Sequence, residues 1–225
     1  MFEKLDTEKP NPDTVNLDSM DVYQILEVMN AEDSKVPQAV AHCITEIGKT
    51  VEFCIRAVKK IARVVYVGAG TSGRLAVLDS AEIIPTFGVE EGIFVPILAG
   101  GDKAFLNAVE NAEDSSETGE AALKQISLMP EDVVIGITAS GRTPFVKGAL
   151  SYAKTIGCST CLICNVSDPN LSDSADIVIS AYTGPEVLTG STRLKAGTAQ
   201  KLILNMISTA TMIKTGCNTY GTYGG

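Results

Sequence analysis

A chain of 225 residues can bury one sizeable core, and at a net charge of −9 it lacks the clustered Lys and Arg that nucleic acids and anionic membranes reward. One histidine and no tryptophan leave little material for a His-based triad or a multi-His metal site, so acid–base work would fall to Asp, Glu, Lys or Tyr. No apolar run of about 18 residues occurs and the start, MFEKLDTEKPNPDT, is polar and acidic, so the expectation is no membrane span, no signal peptide and a cytoplasmic location.

Residues 1–18, rich in Asp, Asn, Pro and Thr, read as an extended arm. Ser19 is expected to cap a helix whose face carries Val22, Ile25, Leu26 and Met29. A long helix is expected over 34–60, with the stripe Val36, Val40, Ile44, Ile47, Val51 and Ile55 inward and His42 off it, on the surface. From Val64 strands and helices alternate: VVYVG, a helix to about Ala81, GIFVPILAG, and helices over about 103–113 and 118–127. DVVIGIT follows, then a helix over 144–156, STCLICNV, ADIVISA and a last helix over 191–214. Strands separated by helices of this length imply an α/β fold, a doubly wound parallel sheet flanked by helices and preceded by an N-terminal helical arm.

Cys158, Cys161 and Cys164 are spaced like the start of an iron–sulfur run. The fourth ligand would fall at Asp168, and within a strand residues three apart point to opposite faces, so these cysteines read as core and no metal site is expected. Cys43, Cys54 and Cys217 read as small residues in a reducing compartment.

The stretch GAGTSG, Gly68 to Gly73, has the G-x-G-x-x-G layout of a dinucleotide-binding turn. Such a turn needs an acidic residue about 20 positions on, at the end of the next strand; here that strand ends PILAGGDK, and Asp102 comes too late. The hydroxyls of Thr71 and Ser72 favour a phosphate monoester, which rewards many short-range donors. A second strand, VVIGIT, runs into Ala139-Ser140-Gly141-Arg142-Thr143, so two strands end in an S-G-R loop that opens a helix. Ligands of open parallel sheets bind beyond the carboxyl ends of the strands, where helix N-termini favour anions. Thr71, Ser72 and Gly73 in one loop and Ser140, Gly141 and Thr143 in the other are therefore candidate binding residues. Arg74 and Arg142 read equally as contacts or as surface charges. Glu186, Ser191, Thr192, Arg193 and Lys195 form a third polar cluster at the start of the last helix, where Ser191 would serve as N-cap or as ligand.

YVGAGTSGRLAVLDSAEIIPTFG, GITASGRTPFVKGAL and GPEVLTGSTRLKAGTAQKLILNM together resemble the N-acetylmuramic acid 6-phosphate etherases. These are sugar isomerase (SIS) domain proteins, whose ancestry the vertebrate glucokinase regulatory protein shares. The resemblance runs from about Asp6 to Gly216 and implies a cytoplasmic bacterial homodimer with an SIS-type sandwich. It further implies a phosphosugar substrate, no metal or organic cofactor, and cleavage of a lactyl ether to give N-acetylglucosamine 6-phosphate and D-lactate. It places catalytic glutamates at Glu82, in LDSAE, and Glu113, in AVENAED; how the pair divides donor and base is open, and the expectation is Glu82 as proton donor to the departing lactate and Glu113 as the base at C2 and activator of water. Glu82 is expected near the end of its helix, where the macrodipole disfavours a negative charge and suits a donor. At 1.5 Å per residue it would lie about 15 Å from the phosphate loop, which raises the expectation that it serves a partner subunit. On this resemblance residues 1–60 are an arm and helices, 61–216 the SIS domain, and 217–225 a tail where the family continues into a helical C-terminal region. The arm's TEKPNPDT lacks the arginine of the family's usual TE-R-N stretch. A sugar-phosphate sensor without turnover shares the loops but would need neither glutamate, so the pair favours an enzyme; a sugar-phosphate isomerase shares the loops and the base but breaks no ether.

Overall fold

The computed structural model describes residues 6–217; residues 218–225 of the expected tail lie outside the described residues. The chain enters through three short 3-10 turns, then forms α1 (Val22–Asp33), α2 (Val36–Ala41) and α3 (Ile44–Lys59). Asp21, not Ser19, caps α1: its carboxylate accepts from the Gln24 N–H while the Gln24 side chain accepts from the Asp21 N–H, a reciprocal box that Ser19 stands too far upstream to make. The expected long helix is broken at His42 and Cys43. The break shifts the buried face, so that Cys43 turns inward to donate to the Ser180 carbonyl while Ile44 is left 53% exposed.

The remaining elements are β1 (Val64–Gly68), α4 (Gly70–Phe87), β2 (Phe94–Leu98), α5 (Lys103–Leu106), α6 (Ser116–Gln125) and β3 (Val133–Ile137), followed by α7 (Pro144–Ile156), β4 (Ser159–Cys164), β5 (Ile177–Ser180) and α8 (Lys195–Lys214). Five parallel strands run in the order β2-β1-β3-β4-β5. Alternate side chains feed two cores: Val64, Tyr66, Ile135, Cys161 and Ile163 pack with α2, α3, α4 and α8, whereas Val65, Val67, Val134 and Leu162 pack with α6 and α7. Helices thus cover both faces, as the alternating pattern predicts. Cys158 and Cys161 fall into opposite cores, and burial pushes the Cys161 thiol up to about 12. Pro96 is tolerated in β2 because that strand is an edge and its neighbour lies on one side only.

Several helices end or start elsewhere than the periodicity predicts, α4 running on to Phe87 and α6 spanning Ser116–Gln125, and for two others a side-chain partner gives the reason. The helix expected over 103–113 stops at Leu106, since the Arg74 guanidinium takes the carbonyl oxygens of Ala104, Phe105 and Asn107 that a longer helix would use internally. The last helix starts at Lys195 rather than at 191. Its first N–H groups, those of Lys195 and Ala196, donate to the Glu186 carboxylate at 3.0 and 2.9 Å, so Glu186 does the capping and Ser191 does not.

α6 and α7 touch backbone to backbone. A Cβ on Gly148 would lie 1.8 Å from the Ser116 carbonyl oxygen, a position that only glycine can occupy without moving a helix. Gly148→Ala is expected to destabilise at the upper end of the ~1–3 kcal/mol typical of overpacking, or beyond it. Gly48→Ala, on a face of α3 with nothing within 4 Å, should stabilise by about 0.4–1 kcal/mol. Thermal midpoints of the two variants test the contrast.

Candidate active site

Register brings the two S-G-R loops together. Gly68 at the end of β1 pairs with Ile137 at the end of β3, so the segments that follow leave the sheet level with and beside each other. The first glycine stretch turns out to be less a loop than the first turn of α4, which begins at Gly70 directly after β1. This abrupt entry needs Gly73, whose Cβ would meet Leu98 at 2.3 Å and the Gly68 carbonyl oxygen at 2.6 Å. Gly73 is thus accounted for by packing against the strand. Gly141 lies in the left-handed region at φ +64 and makes the second turn possible.

Between the loops lies a cleft of about 340 Å³. One wall is Thr71 and Ser72 at the N-terminus of α4, where Ala69 makes no side-chain cap bond, so the first N–H groups stay open to an anion. The opposite wall is Thr138, Ser140 and Thr143, with the Thr138 hydroxyl 2.7 Å from that of Thr143 and 3.4 Å from that of Ser140. Thr192 and Gly190, from the segment before α8, close one side, and Glu113 another. Glu113 is held by its backbone: its carbonyl accepts from the Phe145 N–H at 3.0 Å, which ties the segment before α6 to the first turn of α7. Its side chain is exposed.

Other expected residues lie elsewhere. Gly73 and Gly141 support the walls without lining the cleft, and Arg142 and Arg193 are exposed beside it. Arg74 braces the turn after α5. Glu186 is fully buried; burial raises its carboxyl above the ordinary range against the two N–H groups that it caps. Lys195, 1% exposed, pairs with buried Glu32 at the end of α1 at 2.5 Å. Burial opposes ionisation of Glu32, but Lys195 and Lys35 outweigh it and bring its carboxyl down to about 2. In the third polar cluster Glu186 and Lys195 thus form a buried scaffold of charge and capping, whereas Thr192 lines the cleft, the adjacent Ser191 is half-buried and Arg193 is exposed. Among the described residues, no Lys or Arg lines the cleft.

Glu82 lines a second hollow, of about 220 Å³, between α4 and α8 with Leu78, Asp79, Lys201 and Asn205. Burial pushes the Asp79 carboxyl up to about 6 although the Ser208 and Tyr66 hydroxyls donate to it. α4 runs past Pro85 to Phe87, so Glu82 stands outside the last turn, where the helix dipole acts, and that part of the argument for a donor lapses.

Three polar residues of the lining are not among the candidates that the sequence offers. Thr138 directly follows buried β3, and a hydroxyl at the carboxyl end of VVIGIT is a usable signal. Thr7 and Glu8 come from the arm, and nothing local in TEKPNPDT says that it folds back across the sheet.

The model of the glucokinase regulatory protein N-terminal SIS domain matches residues 46–154, and that of the SIS domain matches residues 109–210. The N-acetylmuramic acid 6-phosphate etherase of Petrotoga mobilis is 57% identical over 96% of this chain and 72% of its own length. The chain belongs to the N-acetylmuramic acid 6-phosphate etherase family. The etherase of Pseudothermotoga lettingae is 56% identical, again over 96% of this chain and 72% of its own length. Among solved structures, a phosphoheptose isomerase from Francisella tularensis superimposes with a TM-score of 0.65 at 16% identity, covering 85% of this chain and 98% of that one. The sugar isomerase domain of an RpiR transcription factor from Sphaerobacter thermophilus gives 0.58 at 18% identity, covering 84% and 90%. These likenesses establish the fold as that of SIS proteins.

Proposed function

We propose that this chain cleaves the D-lactyl ether of N-acetylmuramic acid 6-phosphate by elimination and hydration, giving N-acetylglucosamine 6-phosphate and D-lactate. The observation that carries the reading is the juxtaposition in one cleft of open helix N–H groups, a ring of hydroxyls and a carboxylate, in a chain of this family. An alkyl ether resists water, but in the open-chain sugar this one lies β to the C1 carbonyl. A base removes the C2 proton, and the pair from that bond forms the C2=C3 double bond as the C3–O bond breaks. The departing lactate oxygen takes a proton from an acid, and water then adds to the unsaturated aldehyde, its hydroxyl at C3 and its proton at C2. Two ionisable groups with separate tasks are required.

Thr71, Ser72, Ser140 and Thr143 hold the phosphate with the N-terminus of α4 in this reading, and Thr192 and Ser191 extend the hydroxyl ring. Glu113 is the base at C2 and the activator of water. Glu82 is the donor to lactate, and since it lines a different hollow of its own chain it serves the cleft of a second copy. Residues 61–216 form the phosphosugar-binding unit and residues 1–60 its arm and flanking helices. A homodimer is supported by exposed apolar side chains on α1, namely Val22, Tyr23 and Leu26. No helix among the described residues is long and apolar enough to cross a membrane, and a cytoplasmic location fits a phosphorylated substrate.

Incubation with N-acetylmuramic acid 6-phosphate and assay of D-lactate tests the reaction; no lactate from folded protein sinks it, and binding without turnover supports a sensor. Sharing of the site has its own test. A mixed dimer with Glu82→Ala in one subunit and Glu113→Ala in the other should regain one working site, and no recovery would place both glutamates in the same subunit's site.

A further inference from the structure

We propose that the N-terminal arm is part of the substrate site: Thr7 and Glu8 bind the uncharged hydroxyl and amide groups of the phosphosugar and select for them. The inference rests on the phosphosugar reading of the cleft above.

The arm is built into the fold. Asn11 and Thr14 are buried, 4% and 9% exposed. The Asn11 amide donates to the Pro185 carbonyl at 3.2 Å, and the Thr14 hydroxyl to the Val187 carbonyl at 2.8 Å. This clip holds the arm against the segment that leads to Gly190 and Thr192, and the 3-10 turn Asp6–Glu8 then crosses the mouth of the cleft.

Two observations point from the arm to a ligand. The Thr7 side-chain oxygen is buried without a hydrogen-bond partner, in a residue 3% exposed that lines the cleft. An unsatisfied buried hydroxyl destabilises the free protein, a cost that a ligand group in the cleft would remove. Among the buried unpartnered side-chain atoms, those of Ser80, Gln200 and Thr211 belong to residues that do not line it. The second observation is Glu8. Its carboxylate oxygen sits 2.9 Å from where a Cβ on Gly190 would stand, so the bare backbone at 190 makes room for a carboxylate at the wall.

Charge decides which part of the ligand faces the arm. The other carboxylate on the wall is Glu113, and among the described residues no Lys or Arg lines the cleft. Beside Glu8 a phosphate or lactyl carboxylate would meet like charge, and the repulsion is stronger at a protein surface than in water. A carboxylate accepts only, so its partners are sugar O–H or amide N–H groups, and the Thr7 hydroxyl can donate to or accept from their neighbours. The phosphate is left to the helix N-terminus and the hydroxyl ring on the far walls.

Thr7→Val and Glu8→Gln, with the wild type, separate the possibilities. Each variant is expected to raise KM for N-acetylmuramic acid 6-phosphate and to weaken calorimetric binding of N-acetylglucosamine 6-phosphate by about 5–10-fold. The change in kcat should be smaller, inhibition by inorganic phosphate should stay at the wild-type value, and the thermal midpoint should hold in Glu8→Gln and rise in Thr7→Val, which removes an unsatisfied buried hydroxyl. Wild-type KM and product affinity in both variants, with lactate release intact, would overturn the inference and leave the reaction standing. Weakened product binding in a protein that releases no lactate would uphold the arm's role and sink the reaction. Loss of phosphate inhibition by the same factor as product affinity would overturn the assignment to uncharged groups.

Discussion

Glu113→Gln is expected to lower lactate release by about 10²–10⁴-fold, the usual contribution of one positioned acid–base group. Its thermal midpoint should match the wild type, because the side chain is exposed and pairs with no described residue, while the backbone bond to Phe145 survives the substitution. Solvent isotope distinguishes the two glutamates. In heavy water the wild type should place deuterium at C2 of the product, and Glu113→Gln should lose exchange at C2 together with lactate release. Glu82→Gln should lose expulsion of lactate yet keep exchange into unreacted substrate, since its task comes after the proton has left. Exchange that persists in Glu113→Gln and vanishes in Glu82→Gln would reverse the two roles.

The second large effect concerns stability. Lys195→Met removes the buried partner of Glu32 and is expected to cost about 3–5 kcal/mol, the range for stranding one member of a buried pair. Lys35 still reaches Glu32 from the surface side, so the lower half of that range is favoured. Adding Glu32→Gln should recover part of the loss, as the stranded charge goes with it. The pH dependence has a definite sign. The Glu32 carboxyl titrates near 2 in the folded chain against an ordinary 4.5, so its contribution is complete above about 4.5 and disappears as pH falls through 2. Urea midpoints between pH 5 and 2 should therefore fall less steeply in Lys195→Met than in the wild type; equal slopes would show that Lys195 does not hold Glu32 down.

These residues also show what could and could not be read from the chain alone. The sheet, its parallel sense and the pairing of the two S-G-R loops follow from local pattern, because period and loop chemistry are written within a dozen residues. Lys195 and Glu186 looked like ligand groups because a cation and a carboxylate near a helix start suit an anion. Their partners are Glu32, 163 positions away, and the helix's own N–H groups, and no local rule announces a partner at that distance. Arg74 defeated the helix expected over 103–113 in the same manner, by taking carbonyl oxygens from a segment about 30 residues on. Glu82 and Glu113 came from family resemblance; as bare sequence each is a solvated helix-surface charge. Thr138 is legible as a hydroxyl at a strand's carboxyl end, whereas Thr7 and Glu8 depend on a fold-back that only tertiary structure reveals.

That fold-back has a consequence for how the protein is made. The arm leaves the ribosome well ahead of this partner, and the bond from Asn11 to Pro185 cannot form until Pro185 emerges, 174 residues later. At 5–20 residues per second this is a wait of roughly 9–35 s. During that interval the sheet can assemble while one wall of its cleft is still absent. The complete cleft therefore waits for Pro185, and a nascent chain that has its strands and both S-G-R loops is still an open bowl.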